Sequence, residues 1–230
     1  MQTNLVIGNR GQIGSALQKI LDCDGIDQNE FMTRTYDVLH IAIPYSDTFV
    51  ETVGDYMTRY KPLLVIVHST VPLGTTRKLG PKAVHSPCRG VHPDLEQGIR
   101  TFVKFFGGDQ ADRASQIFKN RGVPVRIVDT PETTEAMKLW DTTVYGFNIL
   151  IEKMLHQYCE KNGVDFNVVN TESAQTYNEG YAKLGKPHFS KYVLKHVDGP
   201  IGGHCVRPNV ELLGGITKEA FDFMENKLGL

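Results

Sequence analysis

Cys205 lies in the stretch Gly199-Pro-Ile-Gly-Gly-His-Cys-Val-Arg-Pro-Asn209, where three glycines and two prolines make the backbone turn sharply around one soft nucleophile. The run that follows, Val206 to Leu213, predicts a short helix with Pro208 tolerated in its first turn. A thiol at a helix N-terminus has its thiolate stabilised by unpaired N–H groups and by the helix dipole. Cys205 is therefore a candidate nucleophile; the alternative is a tight turn whose cysteine merely packs. A second chemical group stands on a predicted helix from Glu132 to Lys161, where Lys138 and Thr142 lie one turn apart on the same face and Asp141 and Tyr145 occupy the neighbouring stripe. A lysine there is either a cation able to stabilise a developing negative charge or an ordinary solvated surface residue.

A third group is the glycine turn near the N-terminus. Asn4 to Ile7 is a short apolar run leading into Gly8-Asn9-Arg10-Gly11-Gln12-Ile13-Gly14, after which Ser15 to Leu21 continues with helical spacing. The order strand, glycine turn, helix suits a dinucleotide, because glycines let the backbone approach a pyrophosphate whose charge then sits on the helix N-terminus. Gly25-Ile-Asp27 follows as a short second strand ending in an acid 19 positions after Gly8. Asp27 is placed either to bind the adenosine ribose hydroxyls of NAD or as an ordinary loop acid. Arg10 and Arg34 leave NADP open, since a guanidinium near that ribose can hold a 2′-phosphate.

The elements that must position these groups read as alternating strands and helices. Asp37 to Ile43 is a buried strand ending at Pro44, Asp47 to Tyr60 a helix, and Leu63 to Val67 a strand opened by Pro62. Such alternation indicates a doubly wound parallel sheet of Rossmann type, whose ligands bind at the carboxyl ends of the strands. Pro44, Ser69 and Thr70 stand at those ends and join the cofactor-binding set. Two loops are candidates to reach a substrate: His68 to Thr76, before a short helix from Thr75 to Leu79, and Val84 to Pro93, which includes His92. Arg100 to Phe106 predicts a further strand, Ala111 to Asn120 a helix, and Val123 to Val128 a last strand.

At Thr130 the character changes: Thr130 caps, Pro131 takes the first helical position, and a helix of about 30 residues begins. The expected organisation is a dinucleotide-binding domain over 1–130 and a smaller all-helical domain over 131–230. So long a helix predicts a homodimer joined through 132–161, or an element spanning the two domains. Asp165 to Lys195 predicts two short helices around Gly185-Lys-Pro187, and Lys218 to Lys227 is amphipathic.

Composition bounds the partners. Lys plus Arg number 25 against 26 Asp plus Glu, so no sequence-wide field recruits nucleic acid or anionic lipid. No apolar run approaches the roughly 20 residues that span a bilayer, and a cytoplasmic protein acting on a small molecule is expected. Four scattered cysteines without a C-x-x-C pair, and eight histidines without ligand spacing, give no metal site.

Several of these segments, in this order, resemble the nucleotide-sugar dehydrogenases typified by the UDP-glucose and UDP-N-acetylmannosamine enzymes, within the wider 6-phosphogluconate dehydrogenase-like group. Ser69-Thr70-Val-Pro-Leu-Gly74-Thr-Thr76 is similar to that family's serine-threonine-valine-proline loop. Thr134-Glu135-Ala-Met-Lys138-Leu is similar to its A-E-x-x-K-L helix, and Gly199 to Cys205 to its G-x-G-x-G-G-x-C loop. Ser86-Pro87 and Phe106-Gly-Gly108 echo two weaker segments.

The resemblance implies an NAD-binding Rossmann domain followed by a helical domain, and a CH–OH group oxidised twice to a carboxylate. It implies Cys205 as the nucleophile that traps the aldehyde, Lys138 as the cation at the developing oxyanion, and Thr70 as the group orienting a catalytic water. The sequence also departs from the family. Cys88 stands where the family has an acid, Thr142 where it has asparagine, and Asn209 where it has aspartate. Those changes weaken the hydrolytic second step more than simple alcohol–carbonyl interconversion. The family normally adds a second Rossmann-like domain that holds the nucleotide, and this sequence ends about where that domain would begin. The implied substrate is therefore a nucleotide sugar recognised with help from another chain, or a smaller hydroxy compound. Two alternatives stay open: a non-catalytic dinucleotide-binding relative, and a single-step dehydrogenase of the prephenate or hydroxyacid type, whose cofactor loop the glycine turn also resembles.

Overall fold

The computed structural model describes residues 2–90, 93–201 and 205–230. Seven strands form one sheet in the order β2-β1-β3-β4-β5-β6-β7. They are β1 (Asn4–Ile7), β2 (Asp24–Ile26), β3 (Val38–Ile41), β4 (Leu64–Val67), β5 (Ala83–His85), β6 (Lys104–Gly107) and β7 (Val125–Val128). The first five run parallel, as expected. β6 pairs antiparallel with β5, and β7 follows β6 in parallel. The antiparallel register has a local cause. The segment expected as one strand from Arg100 to Phe106 divides, because Leu95–Thr101 coils into helix α3 with Leu95 and Ile99 buried, and only Lys104–Gly107 extends. That short helix returns the chain on the side from which β5 left.

β3, β4 and β5 are buried at every residue, the mark of a sheet covered on both faces. Alternation along β1 sends Val6 into one core with Leu17, Ile66, Val84, Phe106 and Phe118. It sends Leu5 and Ile7 into another with Leu39, Ile41, Val65, Tyr36, Phe49 and Tyr60. The helices over these faces are α1 (Gln12–Leu21), α2 (Phe49–Tyr60), α3 and α4 (Ala111–Lys119), with a 3-10 turn at Thr76–Leu79 where a short helix was expected. α1 and α2 each stop at a left-handed residue, Asp22 and Lys61. This is a Rossmann-type doubly wound α/β fold.

The 32-residue helix α5 (Pro131–Asn162) opens as the sequence predicts, with the Thr130 hydroxyl accepting from the Thr133 N–H at 3.3 Å. The chain then divides into two compact units, the first ending at Leu139 and the second comprising Trp140–Leu230. In the second unit a π-helical stretch, Asn167–Glu172, runs into α6 (Ser173–Lys183), followed by a 3-10 turn at Pro187–Phe189. α7 (Val206–Leu213) and α8 (Gly215–Leu228) close the unit. Its core is Leu150, Val206, Val210 and Phe221. Gly146 permits that packing: a Cβ there would stand 2.4 Å from Val206 Cγ1 and 3.0 Å from Phe221 Cε2. No helix among the described residues is long and apolar enough to cross a membrane.

Candidate functional site

The switch point of the sheet lies between β1 and β3, because the chain passes to β2 on one side of β1 and then crosses to β3 on the other. Ligands of open α/β sheets bind in the crevice that such a reversal opens. The glycine turn sits there. Gly8, at φ +89, approaches so closely that a Cβ would be 2.6 Å from the Ala42 carbonyl oxygen, and a Cβ on Gly14 would be 2.0 Å from the Gly8 carbonyl oxygen. Gly11 is looser, its hypothetical Cβ meeting nothing nearer than 3.4 Å. The Gly8 and Asn9 N–H groups both donate to the Ile26 carbonyl, at 2.9 and 3.2 Å. Gly11 then precedes Gln12, Ile13 and Gly14 without a side-chain cap, which leaves the first turn of α1 with its positive end open.

Asn9 is turned away from that opening. Its amide donates to Gln18 Oε1 at 3.2 Å, its side chain occupies the space a Cβ on Gly25 would need, and its buried Oδ1 has no hydrogen-bond partner. Asp27 follows β2 directly. Its own N–H donates to Glu30 Oε2 at 2.9 Å, and its carboxylate accepts from the Gln28 N–H at 2.7 Å. Glu30 also takes the Arg10 guanidinium, while Arg34 pairs with Asp24 and lies 4.9 Å over the Tyr36 ring.

The next strand ends carry Pro44, which is exposed, and Ser69 and Thr70. Ser69 is buried, and its hydroxyl donates to the Ile43 carbonyl at 2.6 Å, so this side chain holds the turn into Pro44. Thr70 beside it is half-buried. The loop that continues to Thr76 is fastened by Glu135 of α5, fully buried, which accepts the Gly74 N–H at 2.5 Å and the Thr76 N–H at 2.8 Å. Thr134, also fully buried, meets His85 Nδ1 at 2.8 Å, and His85 Nε2 lies 3.1 Å from the Ser69 carbonyl. Reasoning from sequence quoted Thr134 and Glu135 only as parts of a motif and gave neither a task. The available signal was a carboxylate three residues before Lys138 on a helix whose start the sequence marks.

Under these strand ends lies a row of buried bases. His40 stacks on His68 with ring centroids 5.4 Å apart, and His68 Nδ1 donates to the Ser86 carbonyl at 2.8 Å. Lys104 is buried too, donating to the carbonyls of Ser86 and Pro87 at 2.9 and 3.2 Å and lying 3.5 Å from Cys88 Sγ. Burial pushes His40 and His85 down to about 3, and the nearby Lys104 charge acts in the same direction on both. The charge of Lys138 makes a smaller contribution in the same direction to His85 and Lys104. Burial is the main cause that lowers Lys104 below the ordinary lysine range.

In the second unit, Cys205 is exposed at the N-cap of α7, whose first turn contains Pro208 and has no side-chain cap. Gly202, Gly203 and His204 of the cysteine loop, like His92 in the earlier loop, lie outside the described residues. Asn209, one turn into α7 and buried, donates its amide to the Thr142 hydroxyl, so two of the three positions where the sequence departs from the resembled family hold one another. The entry to the loop is anchored by Lys153, nearly fully buried, which donates to the Val197 and Gly199 carbonyls at 2.6 and 2.8 Å. Beside it the buried Glu152 carboxylate takes His196 Nδ1 at 2.8 Å. Among the described residues no three histidines, cysteines or acids gather to hold a metal ion.

Comparison with known proteins adds the following. No protein-family profile matches the chain, and no curated protein matches it in sequence. Solved structures do match. The UDP-D-ManNAc dehydrogenase of Pyrococcus horikoshii is 16% identical over 98% of this chain and 69% of its own, with a TM-score of 0.79. The UDP-N-acetyl-mannosamine dehydrogenase of Staphylococcus aureus is 19% identical over 99% and 68%, at 0.68. The 3-hydroxyisobutyrate dehydrogenase of Mycobacterium tuberculosis, solved with L-serine, is 14% identical over 100% and 94%, also at 0.68. The likeness is one of fold. It extends over the sheet and the helical segment alike, so the elements that carry Gly8, Lys138 and Cys205 all fall within the matched length.

Proposed function

We propose that the protein is a nicotinamide-dinucleotide-dependent oxidoreductase acting on the CH–OH group of a sugar or other small hydroxy compound, with NAD as its cofactor. The observation that carries this reading is the glycine turn at the switch point, where Gly8 and Gly14 close to distances that leave no room for a side chain. The residues fit the cofactor. The α1 N-terminus would hold the pyrophosphate, Asp27 the ribose hydroxyls, and the backbone around Pro44 and Thr70 would line the site beyond it. Bound there, the cofactor supplies a hydride acceptor. The named activities of the Pyrococcus, Staphylococcus and Mycobacterium proteins support a dehydrogenase on this fold.

Lys138 is assigned the alcohol oxygen: its ammonium stabilises the alkoxide as the C–H hydride departs, which lowers the barrier by electrostatics. Thr70 orients water. Cys205 is the nucleophile of a second oxidation, adding its sulfur to the aldehyde carbonyl to form a thiohemiacetal; with a second molecule of oxidised cofactor as the hydride acceptor this would become a thioester, which water cleaves to acid and free thiol. Asn209 and Thr142, two neutral side chains tied to one another, offer that water no base. One-step interconversion of alcohol and carbonyl is therefore the firmer part of the proposal, and the second step stands on Cys205 alone.

The test is to follow nicotinamide reduction with nucleotide sugars, sugar alcohols and short hydroxy acids as substrates. Turnover on at least one class is expected, with Cys205→Ser losing acid formation while keeping alcohol–carbonyl exchange. Stabilisation by NAD without turnover on any alcohol would instead establish a dinucleotide-binding protein without catalysis.

The second unit also proposes its partner. Trp140, Val144, Ile151, Met154 and Tyr158 on α5 are 45–61% exposed, along one side of the helix at spacings of four, seven, three and four. We assign this stripe to a second copy of the chain.

A further inference from the structure

The geometry around Arg10 points to a residue that sets which dinucleotide is taken: we propose that Glu30 makes the site select NAD and reject NADP by occupying the guanidinium a 2′-phosphate would need. This rests on the reading of the glycine turn as a dinucleotide site. Within that reading Arg10 is the cation built into the turn itself, and it follows Gly8 and Asn9, whose N–H groups are tied to the Ile26 carbonyl at the end of β2. It is therefore a basic side chain carried by the turn that is tied to the end of β2, where Asp27 follows.

Glu30 holds it. One carboxylate oxygen accepts the Asp27 N–H at 2.9 Å, and the Asp27 carbonyl accepts the Glu30 N–H at 3.0 Å, so residues 27–30 form a closed turn with the glutamate folded back over it. The other carboxylate oxygen takes the Arg10 guanidinium. Glu30 is half-buried and Arg10 largely exposed, at 38% and 72% of the side chain. A pair so open to water contributes little to stability. Its effect is on charge: at the corner where β2 ends, the Arg10 guanidinium is paired with Glu30, whose other carboxylate oxygen holds the Asp27 N–H. A 2′-phosphate brought there would add negative charge beside both acids and would have to displace Glu30 to reach Arg10. The ribose 2′-hydroxyl of NAD makes no such demand and can donate to Asp27.

Arg34, the other cation in this region, does not relieve the exclusion. It pairs with Asp24, lies over Tyr36, and Tyr36 itself donates to Asp24 at 2.5 Å. Both arginines that leave NADP open on the sequence are thus paired with carboxylates on the structure, and Glu30 is the one whose removal frees a guanidinium within the glycine turn.

The experiment titrates NADH and NADPH by nicotinamide fluorescence against the full chain and its Glu30→Gln and Arg10→Ala/Glu30→Gln variants. The glutamine keeps an acceptor for the Asp27 N–H, so the turn is retained. The wild-type chain is expected to bind NADH at least about tenfold more tightly than NADPH. Glu30→Gln should raise NADPH affinity several-fold while leaving NADH within about twofold, and the double variant should lose that gain. Equal or tighter NADPH binding by the wild-type chain overturns the inference, as does an NADH to NADPH ratio that Glu30→Gln leaves unchanged. Binding of neither cofactor overturns the dinucleotide reading itself, and this inference with it.

Discussion

The two units solve the burial problem in opposite ways. In the first, β3, β4 and β5 are enclosed on both faces, two separate cores lie either side of the sheet, and even basic side chains are drawn inside: His40, His68 and His85 are fully buried and Lys104 nearly so. In the second, four buried apolar residues form the core, while Trp140, Ile151, Met154, Tyr158, Val168 and Phe223 stand 45–62% exposed. A sheet closes on itself once both faces are covered, whereas a long helix has a full circumference to cover and α7 and α8 reach only part of it. The first unit encloses its central strands within the chain. The second has apolar surface left over, and that is what a second copy would bury.

The largest effect expected from this contrast is on acid stability. His40 and His85 are held at about 3 in the fold against 6.5 in an unfolded chain. Between those values the unfolded chain binds protons that the folded chain refuses, so stability is lost as pH falls from 6.5 towards 3. A histidine depressed this far represents roughly 5 kcal/mol. Asp24, Asp37 and Glu132 are also lowered and add to the loss only in the carboxylate range below. All these groups belong to the first unit, so acid should open it first. Amide exchange in β3 and β4 measured against fluorescence of Trp140, the single tryptophan, in the second unit, reads the two separately. His85→Gln, which retains a partner for Thr134, should flatten the slope above the carboxylate range. Simultaneous loss of both signals, with a slope that His85→Gln leaves intact, would break the distinction.

A smaller effect tests the other side. Ile151→Glu with Met154→Glu places two charges on the exposed stripe of α5, where neither side chain supports the core of its own unit. Sedimentation of the wild-type chain should show a dimer, and the double variant should shift it to monomer with the glycine turn still binding cofactor. A wild-type monomer at all concentrations would remove the proposed partner.

How much of this was legible in the sequence follows a different division. Apolar runs and caps marked β1, β4, α5 and α7 to within a residue, in both units, whereas α1 begins at Gln12, three residues before the Ser15 at which its apolar spacing starts. The larger exception, Arg100 to Phe106, alternates like a strand because Phe102 and Val103 are apolar, yet both are exposed at the bend between α3 and β6. Alternation does not report which face is covered. The candidate site was legible as types and spacings, Gly8 to Gly14, Lys138 and Cys205. Its supports were not. Glu135, His85 and Lys153 act through backbone partners 16 to 61 residues away, and long-range hydrogen bonds leave no periodicity to read. Nor could sequence show that Asn209 and Thr142 satisfy one another across 67 positions.

The smallest predicted effect lies at the start of α5, which serves both units. Thr130 is a side-chain cap that the sequence marks by its place before Pro131, and its hydroxyl accepts the Thr133 N–H at 3.3 Å while meeting the Thr133 hydroxyl at 2.9 Å. Replacing an N-cap threonine with alanine removes one acceptor from the open end of the helix and costs about 1 kcal/mol. The same residue's carbonyl is packed against Gly107, where a Cβ would come within 2.2 Å, so its backbone position is set by the sheet whatever its side chain. Thr130→Ala should therefore lower the denaturant midpoint of the first unit slightly, leave the Trp140 transition of the second unchanged, and be reversed by Thr130→Ser. A shift carried equally by both transitions would show that the helix frays through its whole length, and that α5, rather than the two cores, sets the stability of each unit.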